Sequence, residues 1–153
     1  LDISQVNIVP NGSKLSILLF FQGKMSQAKQ KDCIFCNKPE SKMVLKNEFA
    51  YAIRDGHPVT ELHTLIIPRR CVPTYFDLNE DEIRDCQELL MLARKNILDI
   101  DKTVTGFNIG INAGKDAGQS IFHCHIHLIP RRKGDVEEPR GGVRAVIPHK
   151  QKY

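Results

Sequence analysis

Tryptophan is absent from the 153-residue chain, and aromatic residues make up only 7% of it. That leaves little material for a base-stacking surface of the kind that holds single-stranded nucleic acid. Long hydrophobic runs are missing too: the longest, residues 15–21, is broken by Ser16 and falls far short of the ~20 residues a membrane span needs. A basic start, an apolar middle and a small-residue cleavage site do not occur in that order, so no secretory signal is read. Neither sign of charge dominates. Lys and Arg number 22 against 18 Asp and Glu, a net of +4, too slight to imply a nucleic-acid groove. The five cysteines are an odd number and only Cys33 and Cys36 are closely spaced. A secreted disulfide scaffold is therefore disfavoured, and a reducing, cytoplasmic setting with a metal site fits better. What is present is 41% hydrophobic content on a chain of single-domain length, enough for a core without staples.

Two β-prone runs, 6–10 and 15–21, flank Asn11-Gly12, a dipeptide suited to a tight hairpin turn. Phe21-Gln22-Gly23 looks like the tail of a cleavable tag, so residues 1–24 are set aside as an N-terminal leader and 25–153 are read as one domain. Within it, strands are expected at 43–45, 49–54, 62–67, 105–112 and 122–129, the last ending at Pro130. Asn79 followed three residues later by Glu82 predicts a capping box. Ile83, Cys86, Leu90, Ala93 and Ile97 then recur at helical spacing, predicting one amphipathic helix to about Asp99. Strands flanking one good helix define an α+β domain.

Residues 122–130 read Phe-His-Cys-His-Ile-His-Leu-Ile-Pro. On a strand, His123, His125 and His127 share one face, and Phe122, Cys124, Ile126 and Leu128 turn to the other, towards a core. Half of the chain's six histidines on one short face cannot be an apolar layer, and chance surface placement would favour Thr, Lys or Glu there. Two chemistries remain. In one, His125 and His127, ~6.6 Å apart along a strand, chelate a catalytic zinc that activates water. In the other, one imidazole attacks phosphorus directly while its neighbours bind phosphate and manage protons. The preceding Asn112, Gly114, Gly118, Gln119 and Ser120 favour the second, since small and amide-bearing residues let a backbone approach an anion closely. A third possibility is a non-enzymatic zinc knuckle for nucleic acid, using Cys33 and Cys36 with the basic runs Arg69-Arg70 and Arg131-Arg132-Lys133. Those runs follow prolines at strand ends, where solvated basic residues are common.

The motif HCHIHLIP, with GQS leading into it and LHTLIIP upstream, resembles the signature of the histidine triad (HIT) family over roughly Cys33 to Arg132. The resemblance implies a five-stranded antiparallel sheet with one main helix and a two-fold dimer. It also implies an adenosine nucleotide substrate bound at the histidine strand. The ending KGDVEEPRGGVRAVIP is similar to that of bacterial members that hydrolyse dinucleoside polyphosphates such as diadenosine tetraphosphate.

By the same resemblance His125 is the nucleophile, attacking the α-phosphorus to form a nucleotidyl-histidine that water then hydrolyses. His127 donates to a phosphate oxygen, and His63 supports the pair. Asn112, Gly118, Gln119 and Ser120 form the phosphate cradle and leaving-group contacts, and Asp55 takes the ribose hydroxyls. Nucleotidyl transfer to phosphate or a sugar phosphate would use the same histidine. Glu61-Leu62 stand where Pro-Gly commonly precedes the histidine of LHTLIIP, which bears on substrate preference. Cys33-x-x-Cys36 has the spacing of half a structural zinc site. Related bacterial chains complete it with a histidine after the IIP strand end and the first triad histidine. Here Cys71 stands near the former position, so the expected site is Cys33, Cys36, Cys71 and His123, with Cys86 and Cys124 left as ordinary buried thiols.

Overall fold

A computed structural model of the chain describes residues 31–153. The leader at 1–24 and the hairpin expected at 6–21 lie outside the described residues. Five strands, β1 (Met43–Lys46), β2 (Ala50–Arg54), β3 (Thr64–Pro68), β4 (Val104–Gly110) and β5 (Ile126–Arg132), form one sheet in the order β1-β2-β3-β5-β4. Every neighbouring pair is antiparallel. One helix, α1 (Glu80–Ile100), lies between β3 and β4 in the chain.

The pleat divides the sheet's side chains into two layers. On one side Ala50, Ala52, Ile66, Ile126 and Leu128 pack with Cys86, Leu89, Leu90, Ala93 and Ile97 of α1. On the other, Tyr51, Ile53, Leu65 and Ile67 pack with Phe35 from the segment before β1. Leu65 sits opposite His127 in the β3–β5 register. The second layer is therefore the one that carries histidine chemistry, and α1 backs it from the far side of the sheet.

The capping box of α1 forms as its sequence dictates: Asn79 Oδ1 accepts the Glu82 N–H at 2.9 Å, and the Glu82 carboxylate accepts the Asn79 N–H at 2.9 Å. The apolar stripe is rotated from the expected one. Ile83 is exposed, whereas Glu82 and Asp85 are buried. Both acids are fully employed. Glu82 receives a bidentate pair of 2.7 Å bonds from Arg70, and Asp85 accepts the Phe49 N–H at 2.9 Å. A buried carboxylate with such partners outcompetes an isoleucine for the site, which periodicity alone cannot reveal.

The histidine strand also differs from its expected span. β5 begins at Ile126 and runs through Pro130 to Arg132. Pairing with β3 ends at Leu128, so Pro130 lies where β5 has a neighbour on one side only and its missing N–H is tolerated. Residues 122–125 precede the strand, and strict alternation fails there: Phe122 is 55% exposed instead of facing the core, while Cys124 is buried as expected. β3 starts at Thr64, two residues later than expected, because Leu62 has a φ of 65° and cannot extend the strand.

Candidate active site

The loop from β4 to β5 ends on His123 and His125, His127 is the second residue of β5, and each ring has a different set of partners. His125 is buried, and its Nδ1 lies 2.8 Å from the His123 carbonyl oxygen. A carbonyl only accepts, so Nδ1 of His125 carries the proton and Nε2 of the neutral ring keeps its lone pair. His127 Nδ1 lies 3.0 Å from His63 Nε2, and His127 Nε2 is buried with no partner among the described residues. His63 Nδ1 lies 3.3 Å from Asp55 Oδ2 and 3.4 Å from the Val59 N–H. Asp55 Oδ1 accepts the His57 N–H at 2.9 Å. Asp55, His63 and His127 thus lie in a line; the His63–His127 contact is the support expected of His63, whereas the approach of Asp55 to His63 was not expected.

Burial pushes the His127 imidazole down to about 4, helped by the neighbouring His125 and His63 and opposed by Asp55. Burial also lowers His63, with Asp55 acting against it. An unfolded chain takes up protons on its histidines near pH ~6.5. Between there and about 4 the unfolded state therefore binds more protons than the folded one, and stability falls as the pH falls through that window. Thermal melts from pH 7 to 4 should show a declining midpoint in the native protein and a shallower decline in His127→Asn. Equal slopes would remove His127 as the source.

One cavity of about 450 Å³ has Asp55, His63, Asn112 and His127 among its lining residues. Its apolar lining includes Val59, Ile109, Ile129, Val143 and Val146. The only sequence signal for the last two was a short apolar run in a polar tail. The loop at 112–120 turns on Gly114 and Gly118, with φ of 94° and 84°, conformations that carry little strain only in glycine. Gln119 is buried and holds this loop: its amide accepts the Gly114 N–H and donates to the carbonyls of Pro73 and Ile121. Its side chain is thereby committed to the protein, where it sets the shape of the loop. Gly118 and Asn112 line a second, adjacent cavity, whereas Ser120 is exposed and borders a depression shared with Cys33 and Ile34. Of the expected site residues, Asp55, His63, Asn112 and His127 share one cavity, and Gly118 and Ser120 lie outside it.

On the other side of His123, the Cys33, Cys36, Cys71 and His123 ligand atoms lie within 4.8 Å of one another, a cluster that can hold a metal ion. His123 Nδ1 is 3.4 Å from Cys33 Sγ and 3.6 Å from Cys36 Sγ. Its Nε2 lies 2.8 Å from the Pro68 carbonyl, which places the proton there and leaves Nδ1 free to coordinate. Burial works to raise the Cys33 thiol, but hydrogen bonds from the Cys36 and Phe35 backbone outweigh it and hold it below its ordinary value. Cys71, pushed up to about 12 by burial and by sharing a proton with Cys36, is its counterpart. Cys86 and Cys124 are buried thiols, raised by burial to about 12 and about 11.

A five-stranded antiparallel sheet backed by one helix, with three histidines and a glycine-bearing loop at the start of its last strand, defines a histidine triad domain. The chain belongs to the HIT domain family, whose model matches residues 37–134. It is 37% identical over 100 residues to the asymmetrical bis(5'-nucleosyl)-tetraphosphatase of Schizosaccharomyces pombe, a match covering 64% of this chain and 53% of that one. It is 35% identical over 101 residues to the bis(5'-adenosyl)-triphosphatase of Dictyostelium discoideum, covering 64% of this chain and 65% of that one. The chain thus covers between half and two-thirds of these two relatives. Among solved structures, a zinc-bound histidine triad family protein from Mycobacterium smegmatis matches with a TM-score of 0.62 at 29% identity, over 70% of this chain and 80% of that one.

Proposed function

We propose that the protein is a nucleotide hydrolase that cleaves at the α-phosphate of adenosine nucleotides through a nucleotidyl-His125 intermediate. One observation carries the reading. The His123 carbonyl fixes the His125 tautomer with its lone pair on Nε2, the state a nucleophilic imidazole requires. Nε2 forms the bond to phosphorus as the bond from phosphorus to the leaving-group oxygen breaks. Water then attacks the phosphorus, restores the imidazole and releases the nucleoside monophosphate. With His63 Nε2–H donating to His127 Nδ1, His127 carries its proton on the unpartnered Nε2, a donor for a phosphoryl oxygen or the departing group. Asn112, Ser120 and the loop held by Gln119 supply further contacts, and Asp55 takes the ribose hydroxyls, since His63 Nδ1 already accepts the Val59 N–H. Two groups among the described residues could hold a metal, Cys33, Cys36, Cys71 and His123, and Asp55, His63 and His127; His125 belongs to neither, which favours this chemistry over a zinc-bound hydroxide held by His125 and His127.

Zinc is the metal that suits the Cys3His cluster. Bond lengths of about 2.3 Å to sulfur and about 2.0 Å to nitrogen place tetrahedral sulfur and nitrogen ligands roughly 3.5 Å apart, close to the 3.4 and 3.6 Å between His123 and the two cysteines. Cys33, Cys36, Cys71 and His123 would close the coordination shell, so the metal supplies cross-linking rather than chemistry. A two-fold dimer is supported by the free edge of β4 and by exposed Met91, Leu92 and Ile109. Five free cysteines accord with a cytoplasmic setting. No described helix is long and apolar enough to cross a membrane.

The test is a turnover panel of diadenosine tetraphosphate, diadenosine triphosphate and adenosine phosphoramidate, with and without orthophosphate. Release of AMP at a rate indifferent to orthophosphate is expected. ADP formed from the tetraphosphate or the phosphoramidate only with orthophosphate would make the protein a phosphorylase, and no turnover of any of the three would overturn the reading.

A further inference from the structure

We propose that Phe35 is a positioning residue for the nucleophile, its ring carrying the placement of the Cys33–Cys36 knuckle onto the imidazole of His125. The inference rests on the hydrolase reading for its catalytic consequence, but not for its geometry. Phe35 is buried at 4% exposure, between two cysteines of the metal-competent cluster. Its ring meets the His125 ring edge-on, with centroids 5.2 Å apart and planes at 60°. It meets the His123 ring in the same manner at 5.9 Å and 78°. Its carbonyl accepts the Tyr51 hydroxyl at 2.6 Å, which fastens the knuckle to β2.

His125 needs such a neighbour. Its ring makes one hydrogen bond, from Nδ1 to the His123 carbonyl. One bond at a ring edge fixes the tautomer and leaves the ring free to tilt about it. In-line attack on phosphorus is sensitive to that tilt, because reacting atoms must meet at about 3–3.5 Å with their orbitals aligned. An aromatic edge against the ring removes the freedom. The His127 ring also meets His125 edge-on, at 5.0 Å and 66°, from the cavity side; the other two groups that touch it, the His123 carbonyl and the Phe35 ring, belong to the knuckle side of the site. The carbonyl comes from His123, whose Nδ1 faces Cys33 and Cys36, and the ring comes from the residue between those cysteines. Closing the cluster on a metal therefore sets both restraints together.

A merely structural Phe35 would be one more member of the core layer it shares with Tyr51, Ile53 and Leu65. Phe35→Leu separates the two roles, because it keeps an apolar side chain and removes the aromatic edge. Ile53→Val is the control from the same layer. In long-range nitrogen–proton spectra of the histidine side chains, the native protein should show His125 with its proton on Nδ1 and one sharp set of ring signals. Phe35→Leu should retain its metal, shift and broaden the His125 signals, and lower kcat on the order of 10-fold with KM within about 2-fold. Ile53→Val should change neither. Stripping metal from the native protein with a chelator should broaden the same His125 signals, an arm that holds even if Phe35→Leu does not fold. Unchanged His125 signals in Phe35→Leu, or in the stripped native protein, would overturn the proposal. A native protein that turns over no nucleotide sinks the hydrolase reading alone, since the spectra still decide whether Phe35 orients His125.

Discussion

His125→Ala should lower turnover by several orders of magnitude, on the order of 10³-fold or more, while leaving nucleotide binding within a few fold. The size of the effect follows from what is removed. No other group on this face is arranged to replace Nε2. His127 has its Nδ1 against His63 and its Nε2 is assigned to a phosphoryl oxygen, and His123 has Nε2 on the Pro68 carbonyl and Nδ1 against sulfur. Loss of a buried imidazole beside Phe35 also opens a cavity, so some loss of stability accompanies the substitution and must be separated from lost chemistry. His125→Asn keeps more of the volume and a donor for the His123 carbonyl, and should be almost as inactive. Rapid acid-free denaturation of the native protein during turnover, followed by digestion, should recover the nucleotidyl group on the peptide holding His125. A near-native rate in His125→Asn, or product accumulating with no modified peptide, would exclude covalent catalysis at this ring.

The features legible in the sequence were those whose physics is local. The capping box at Asn79 and Glu82 and the clustering of the three histidines each depend on neighbours within a few positions, and each appears in the structure. The Cys33, Cys36, Cys71 and His123 grouping was legible because spacing marks one half of such a site and the family pattern marks the other. What stayed hidden depended on partners far along the chain. Glu82 and Asp85 displace Ile83 from the buried side of α1 because Arg70 and the Phe49 N–H come from β3's end and the β1–β2 turn. Period-counting treats both acids as exposed. Residues 122–125 were read as strand because their alternation is perfect on paper, yet β5 forms only from Ile126, where β3 and β4 present backbone to pair with. The same limit applies to Gln119. An amide next to a glycine loop suggests a ligand contact, and only three-dimensional placement reveals the Pro73 and Ile121 carbonyls that occupy it. Long-range satisfaction of polar groups is the part of folding that a single sequence discloses least.

Removing the metal should have the second large effect, and on stability more than on chemistry. The purified protein should carry about one zinc per chain, and Cys71→Ser should lose most of it. Cys33 and Cys36 lie in the segment before β1, Cys71 follows β3 and His123 precedes β5, so one ion would tie three separate parts of the chain together. A structural zinc contributes on the order of 10 kcal/mol in small domains that fold only around it. The core layer under α1 does not depend on the ion, so only part of that figure should appear, roughly 4–6 kcal/mol. At about 3 °C per kcal/mol for a domain of this length, the melting midpoint should fall by roughly 10–20 °C. Cys86→Ala is the control: it vacates a buried thiol site against the other face of the sheet, so it should lower the midpoint modestly and leave zinc content unchanged. Turnover per folded molecule in Cys71→Ser should fall far less than in His125→Asn, because the cluster orients the nucleophile without touching the phosphate. Native protein that contains no zinc, with Cys33 and Cys71 alkylated as fast as free thiols, would end the metal assignment and with it the link from the knuckle to His125.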